Sequence, residues 1–186
     1  MSTKQEIIAT FDPGGVGIDN GNIFGFPFDY DTADIIIFSV PWEVTVSFHG
    51  GTAKGPQAVL EASPQLDFYD YDNPEGWQQG IYMSPVPEWI GQKNEELRSP
   101  AQAIVTATEQ GQPLTTDLKR TLNQVNDGCH QLNQWLLNET RQALGAGKKV
   151  GILGGDHSVP LGAMQALAEK YPTFGILHID AHCDLR

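Results

Sequence analysis

Asp180, His182 and Asp184 stand two apart in the run Asp180-Ala181-His182-Cys183-Asp184-Leu185-Arg186, where the 186-residue sequence closes. Two carboxylates and an imidazole are ligand types for a divalent ion of the manganese, iron, nickel or zinc group. Held together without a cation they would be costly to keep close, and an ion offsets that cost. A second run, Gly154-Gly155-Asp156-His157-Ser158, adds an imidazole on a glycine-rich turn. The chemistry these residue types point to is metal binding, and with it the activation of water for hydrolysis.

Such ligands need elements to hold them. Residues 174–179, Phe-Gly-Ile-Leu-His-Ile, read as a buried strand, and the period-two alternation of a strand points Asp180, His182 and Asp184 the same way. Cys183 then faces away and serves packing. Residues 149–153 form another short apolar run, followed by the glycine turn and a helical stretch from Val159 to Lys170. Strand, turn, helix and strand describe a parallel unit whose strand ends meet at one carboxyl edge, where open α/β sheets bind ligands, so His157 is expected beside Asp180. Gly154 and Gly155 allow a sharp turn, and Asp156 is a candidate helix cap. His178 shares the face of Asp180 one step deeper, and is expected to support the ligands rather than to bind metal.

The two runs resemble the first two signature motifs of the ureohydrolases, the family of arginases, agmatinases, formiminoglutamases and guanidine hydrolases. The resemblance implies that His157 and Asp184 bind one metal, that His182 binds a second and that Asp180 bridges them, with two divalent ions, Mn or Ni, as cofactors. It covers residues 34–70 more loosely, where Ile35 to Val40 reads as the first strand, followed by Pro41-Trp42-Glu43, a loop from His49 to Pro56 and a helix from Gln57 to Ala62, and it resumes over 115–186. Many agmatinases carry an arginine-rich version of that loop, which this sequence lacks. Together with the aromatic arm and a Trp-bearing middle loop, this makes the sequence more similar to the guanidine hydrolase branch.

The fold so implied is α/β, a three-layer α/β/α arrangement with a parallel sheet, arginase-like and incomplete at the C-terminus. Residues 1–33 form an N-terminal arm and 34–186 the N-terminal portion of a single catalytic domain. The implied reaction is hydrolysis of a guanidinium C–N bond, guanidine giving urea and ammonia, with agmatine or a guanidino acid as alternative substrate. A guanidinium carbon is resonance-stabilised and resists neutral water, whereas two ions lower the pKa of a shared water and generate hydroxide. Further ligands, the proton shuttle and the substrate-binding residues are expected beyond Arg186, so no catalytic residue is assigned. Relatives form trimers or hexamers, which makes a homo-oligomer the expected state. Two readings of other classes stand beside this one. Four ligands do not satisfy two six-coordinate ions, which would suit a non-catalytic chain with an incomplete metal site. A mononuclear zinc deacylase of related architecture is the other, and the complete Gly-Gly-Asp-His-Ser run argues against it.

Composition bounds the partners. A net charge of -12 argues against nucleic acid and anionic membranes and favours a small cationic substrate. No apolar run approaches the length of a membrane span and no signal peptide is visible, so a cytoplasmic location is expected. Two cysteines, Cys129 and Cys183, form no disulfide framework.

The remaining elements are read from periodicity. Ser99-Pro100-Ala101-Gln102 carries the signals of a helix start, predicting a helix to about Gln110. Leu118, Leu122, Val125, Cys129, Leu132 and Leu136 recur at three- and four-residue steps, predicting a long amphipathic helix that ends near Gly145 or Gly147, with His130 and Trp135 in structural roles. Phe24, Phe26, Phe28 and Tyr30 alternate, as in an extended segment laying rings on an apolar surface of its own chain or of a neighbouring subunit. The glycines of the arm lack the lysine and Ser or Thr of a phosphate loop. The proline-rich stretch 72–98 is expected to be an ordered loop shaping a substrate entrance, and His49 is a candidate pocket residue.

Overall fold

A computed structural model describes residues 2–182 and 184. Cys183, expected to serve packing, lies outside the described residues. Among them three parallel strands, β1 (Ile35–Val40), β2 (Ile81–Ser84) and β3 (Lys149–Gly154), form a sheet in the order β2-β1-β3. Ile35 is in register with Ile81 on one side and Lys149 on the other.

The central strand, Ile-Ile-Ile-Phe-Ser-Val, is rich in residues that fit a pleated, buried surface. Ile36, Phe38 and Val40 are fully buried on one face. Helices α3 (Glu88–Glu109), α4 (Thr116–Gly145) and α5 (Leu161–Lys170) gather on that side. The Phe38 ring meets Trp135 of α4 edge to face, and Trp135 meets Trp89 of α3 in the same way. On the opposite face Ser39 lines a cavity with Leu60 of α2 (Gly55–Ala62). Helices thus cover both faces of a parallel sheet, the three-layer arrangement expected from the sequence.

The long helix agrees closely with its periodicity. Val125, Leu132 and Leu136 are buried, and Thr115 caps the start by accepting a hydrogen bond from the Leu118 amide. Past Gly145, the positive φ of Gly147 lets the Lys148 amide reach back to the Ala143 carbonyl, so orphan carbonyls of the last turn are satisfied.

Three expectations are corrected. The helix predicted to begin at Ser99-Pro100 begins at Glu88, and Pro100 lies inside it. An interior proline costs about 3 kcal/mol, but each fully buried aliphatic side chain contributes about 1.5–3 kcal/mol. Ile90 and Leu97, buried ahead of the proline, are enough to offset it. The stretch 72–98, expected to be an ordered loop without a regular element, contains β2 as well as the start of α3, because Pro85 and Pro87 flank the strand rather than interrupt it. The arm also opens with a short helix, α1 (Lys4–Thr10), fixed by a reciprocal capping box between Thr3 and Glu6.

The third correction bears on the site. Residues 174–179 form no strand, and Ile176, Leu177 and Ile179 are exposed. An apolar strand gains enough to offset its ordering only when both faces and a neighbouring edge are covered. No described element covers these residues in that way.

The aromatic arm packs on its own chain. Phe26 and Phe28 are buried in the main core, and the Phe26 ring stacks on Phe68 with centroids 4.6 Å apart. Asn22 secures the arm against β2, accepting a hydrogen bond from the Met83 amide at 3.1 Å and donating to the Ile81 carbonyl at 3.3 Å. This covers polar groups of an edge strand that would otherwise be open to pairing. Among the described residues no helix is long and apolar enough to cross a membrane.

Candidate metal centre

The sheet order places the site. The chain leaves β1 toward β2 on one side, while β3 lies on the other, so the connections diverge at the carboxyl ends of β1 and β3 and leave a crevice there. The Gly-Gly-Asp-His-Ser turn follows β3 into this crevice. Its first steps continue the ladder, with the Gly155 amide donating to the Val40 carbonyl at 3.1 Å and the Asp156 amide to the Trp42 carbonyl at 2.7 Å.

The glycines are needed for space. Neither Gly154 nor Gly155 has a positive φ. A Cβ on Gly155 would collide with the carbonyl oxygen of Trp42, and one on Gly154 with the side chain of Val159. The sequence signal for a sharp glycine turn therefore marks close backbone approach at this position.

Asp156 does not cap α5, whose N-cap position is taken by Pro160. The carboxylate is buried and accepts hydrogen bonds from the Thr45 amide at 3.0 Å, the Thr45 hydroxyl at 2.7 Å, and the amide and hydroxyl of Ser158. A buried carboxylate needs this many donors, and satisfying it ties the turn after β3 to the loop after β1. His157, between Asp156 and Ser158, is held at the edge with its side chain about half exposed.

A second carboxylate organises the neighbouring loop. Glu43 accepts hydrogen bonds from the amides of Gly51 and Ala53 and from the Thr52 hydroxyl, while its own amide donates to Asn94. Burial pushes its pKa up, but the Ala53 and Gly51 amides outweigh that and hold it below its ordinary value of 4.5. With a depressed folded-state pKa, its stabilising contribution is complete above that ordinary value and is lost as pH falls through the lower one. Amide exchange at Gly51 and Ala53 is therefore expected to accelerate, beyond its intrinsic pH dependence, as pH falls below that ordinary value and through the lower one, and Glu43→Gln to remove the transition. Protection that stays constant across that range would contradict this role. The loop itself leaves His49 exposed, its ring tilted against that of Phe48 with centroids 4.1 Å apart.

Four donor groups converge on the edge. One ligand atom from each of His157, His178, Asp180 and Asp184 lies within 4.8 Å of the others. His157 Nδ1 is 2.9 Å from Asp184 Oδ2 and 3.8 Å from Asp180 Oδ2, and His178 Nε2 is 3.6 Å from the same two oxygens. Of the residues named from sequence, His157, Asp180 and Asp184 are thus together. His182 sits to the side, its Nδ1 3.3 Å from Asp180 Oδ1, and His178 joins the group in its place. The alternation argument does not apply, because 178–184 is irregular. Asp180 instead accepts the His182 amide at 2.8 Å, and Asp184 has a left-handed backbone with φ 49°.

Hydrogen bonding from the His182 backbone, with the His178 and His157 imidazoles nearby, holds Asp180 below the usual carboxylate range. Two carboxylates and two imidazoles, exposed and within reach of one point, fit a divalent ion of the borderline group. Beside His157 lies a cavity of about 290 Å³ lined by Trp42, Cys129, Leu132, Ser158 and Met164. Burial, and then the charge of Asp156, push the Cys129 thiol up, which keeps it protonated and unsuited to nucleophilic work. Thr45 was not singled out by sequence reasoning. A threonine in a loop carries no local signal of a partner 111 residues away.

The sequence profile of the arginase family matches residues 33–186. The chain is 31% identical over 160 residues to the N(1)-aminopropylagmatine ureohydrolase of Thermus thermophilus, covering 84% of this chain and 42% of that protein. It is 27% identical over 157 residues to the agmatinase of Bacillus anthracis, with the same coverage of each. The solved structure of the agmatine ureohydrolase of Thermoplasma volcanium superposes with a TM-score of 0.51 at 16% identity, over 87% of this chain and 41% of that one, a likeness of fold. The chain spans about 42% of the length of the curated relatives it matches.

Proposed function

The chain belongs to the arginase family, and from that premise we propose that the protein hydrolyses a guanidinium C–N bond at a centre of two divalent ions, Mn or Ni, held in part by His157, Asp180, His182 and Asp184. The observation that carries the proposal is the convergence of His157, Asp180 and Asp184 donors at the crevice between β1 and β3, with His182, beside that group, included for its place in the Asp-x-His-x-Asp run. Bound there, such ions would supply Lewis acidity and a water acidic enough to serve as nucleophile at neutral pH.

This chain's own residues do the rest. Asp156, locked to Thr45 and Ser158, fixes the backbone on either side of His157 and so orients its imidazole. The carboxylates of Asp180 and Asp184 give the edge a negative field that draws in a guanidinium and disfavours an anion. The overall charge of -12 supports the same preference.

Guanidine, giving urea and ammonia, is the substrate favoured by the absence of an arginine-rich loop between His49 and Pro56. The names of the relatives, agmatinase and N(1)-aminopropylagmatine ureohydrolase, support a second reading in which the guanidino group carries an alkylamine tail. Residues 34–186 belong to the catalytic domain in this reading, with 1–33 as an arm, and the active state is a homo-oligomer.

The test is release of urea and ammonia from guanidine, agmatine, N(1)-aminopropylagmatine, arginine and guanidino acids, with metal analysis of the same preparations. The expected result is turnover of one guanidino class with two ions per subunit, and inactivity toward all of them sinks the proposal. His182→Ala is expected to lose one ion outright, whereas His178→Ala lowers metal retention by about 10–100-fold, as for a residue that orients a ligand. The reverse order would exchange the two roles.

A further inference from the structure

Residues 5–92 hold thirteen of the 23 Asp and Glu of this chain but, of its 11 Lys and Arg, Lys54 alone. The net charge of -12 therefore arises entirely in this stretch. Within it the arm and the segment after α2 enclose an open cavity of about 280 Å³ that reaches Ile81, at the amino end of β2. The metal-binding crevice lies at the carboxyl ends of the strands, so the two are separate.

Four aromatic residues with accessible surface, Phe24, Phe68, Tyr69 and Trp77, line the cavity, and the buried Phe26 stacks behind Phe68. The Phe24 and Phe68 rings stand at 87° with centroids 6.5 Å apart, so they form a corner rather than a flat wall. Phe24 is fixed there at some cost. Its φ of 62° is one that a bulky residue rarely adopts, and its amide donates to the Ser63 hydroxyl at 2.7 Å. Asp67 and Asp70, both exposed, add two carboxylates, and Asn73 is the remaining polar side chain of the lining. Asp70 is oriented by accepting the amides of Asp72 and Asn73 at 2.9 and 3.1 Å. No described lysine or arginine lines the cavity, and Lys4, which donates to the Gln79 carbonyl beyond Trp77, is paired with Asp34 at 2.6 Å.

We infer that this cavity binds a small organic cation whose charge is sheathed in alkyl groups, a quaternary ammonium, with its methyl groups among the rings and Asp67 and Asp70 as counter-charge. Accessible rings favour an apolar partner and also attract a cation, and this class of ligand is both at once. Alkylation decides the class. A primary ammonium holds water by hydrogen bonds that rings do not replace, whereas a quaternary one has none to give up. Among the described residues Asp67 and Asp70 belong to no set of three converging donors, so a metal ion lacks ligands there. A second copy of this chain meeting the face by two-fold symmetry would set these carboxylates against their own kind.

Choline is a suitable probe, with 3,3-dimethylbutan-1-ol, which has its shape but no charge, as the control. Each is titrated into the full chain and followed by calorimetry and amide chemical shifts. The expected result is saturable choline binding with Kd on the order of a few millimolar, shifting residues 24–26 and 66–77 but not 154–158 or 178–182. The neutral alcohol should bind at least about tenfold more weakly. Trp77→Leu, and Asp67→Asn combined with Asp70→Asn, are each expected to weaken choline about tenfold. Asparagine keeps an acceptor for the Asp72 and Asn73 amides, so the turn is retained. Tyr69→Ala, at a residue 79% exposed, leaves the core untouched and should weaken binding about threefold. Absence of saturable binding, equal affinity for the neutral alcohol, or shifts confined to the metal-binding edge would overturn the site. So would affinity unchanged by the paired Asp substitutions and by Tyr69→Ala, or self-association through 66–77 that choline does not displace. None of these readouts depends on hydrolytic activity or on bound metal.

Discussion

Asp180→Ala is expected to lower the proposed guanidino hydrolysis by on the order of a thousandfold or more while leaving the unfolding midpoint nearly unchanged. The loss is large because this carboxylate faces His157, His178 and His182 at once, and its two oxygens divide between them. Removing it takes a ligand from the proposed centre and the anchor for the His182 amide from the loop. A thousandfold loss corresponds to about 4 kcal/mol of transition-state stabilisation, within what metal-assisted catalysis supplies. The fold is spared for an independent reason. Asp180 is exposed and its partners lie in one irregular surface segment and the turn beside it, so the substitution removes no core contact, and such changes stay within about 0.5 kcal/mol. Steady-state turnover, metal content and thermal unfolding, measured on one preparation, check all three parts. Turnover within tenfold of the parent would remove Asp180 from the centre.

Gly155→Ala is expected to do the opposite and damage the fold before the chemistry. Its added methyl has no rotamer in which to escape, because the obstacle is the Trp42 backbone and not a side-chain tip. Either the Gly155 and Asp156 amides release the Val40 and Trp42 carbonyls, or Trp42, fully buried, shifts within the core. Overpacking of this kind costs about 1–3 kcal/mol, and each buried amide left unpaired about as much again. A total of about 3–5 kcal/mol is a large share of the 5–15 kcal/mol that holds a typical domain together. Denaturant unfolding should show the midpoint falling with it. Gly147→Asn gives the contrast, because asparagine tolerates a left-handed backbone and nothing lies near a Cβ there. Equal unfolding midpoints for Gly155→Ala and the parent would mean that the turn is not held against Trp42 as described.

How far the sequence reaches can be judged residue by residue. The stripe of α4 was legible because every buried position repeats with the helix, and β1 and β3 because their runs are short, apolar and bounded by turn residues. The start of α3 was not, because a local cap signal at Ser99-Pro100 was overridden by tertiary burial of Ile90 and Leu97. Residues 174–179 were misread for the complementary reason. Their composition is that of a buried strand, but strand formation depends on neighbours that composition does not report. At the site, His157, Asp180 and Asp184 were legible as types and spacings, while the way they meet was not. Alternation along a strand implied one face for 180, 182 and 184, and the irregular backbone brings in His178 instead of His182. The anchoring of Asp156 by Thr45 and of the His49 loop by Glu43 had no local signature, because hydrogen bonds between distant loops leave none.

The link between Asp156 and Thr45 also sets a temporal order. Helix α4, strand β3 and helix α5 are consecutive and meet through short connections, so their contacts form early and cheaply. Thr45 and Asp156 are 111 residues apart, and their hydrogen bonds exist only after β1 has found β3 and the intervening chain has closed. The turn that presents His157 is therefore completed late, after the helical layer that supports it has assembled. During synthesis Thr45 emerges long before its acceptor, and the loop after β1 has to remain uncommitted until nearly the whole described chain is available.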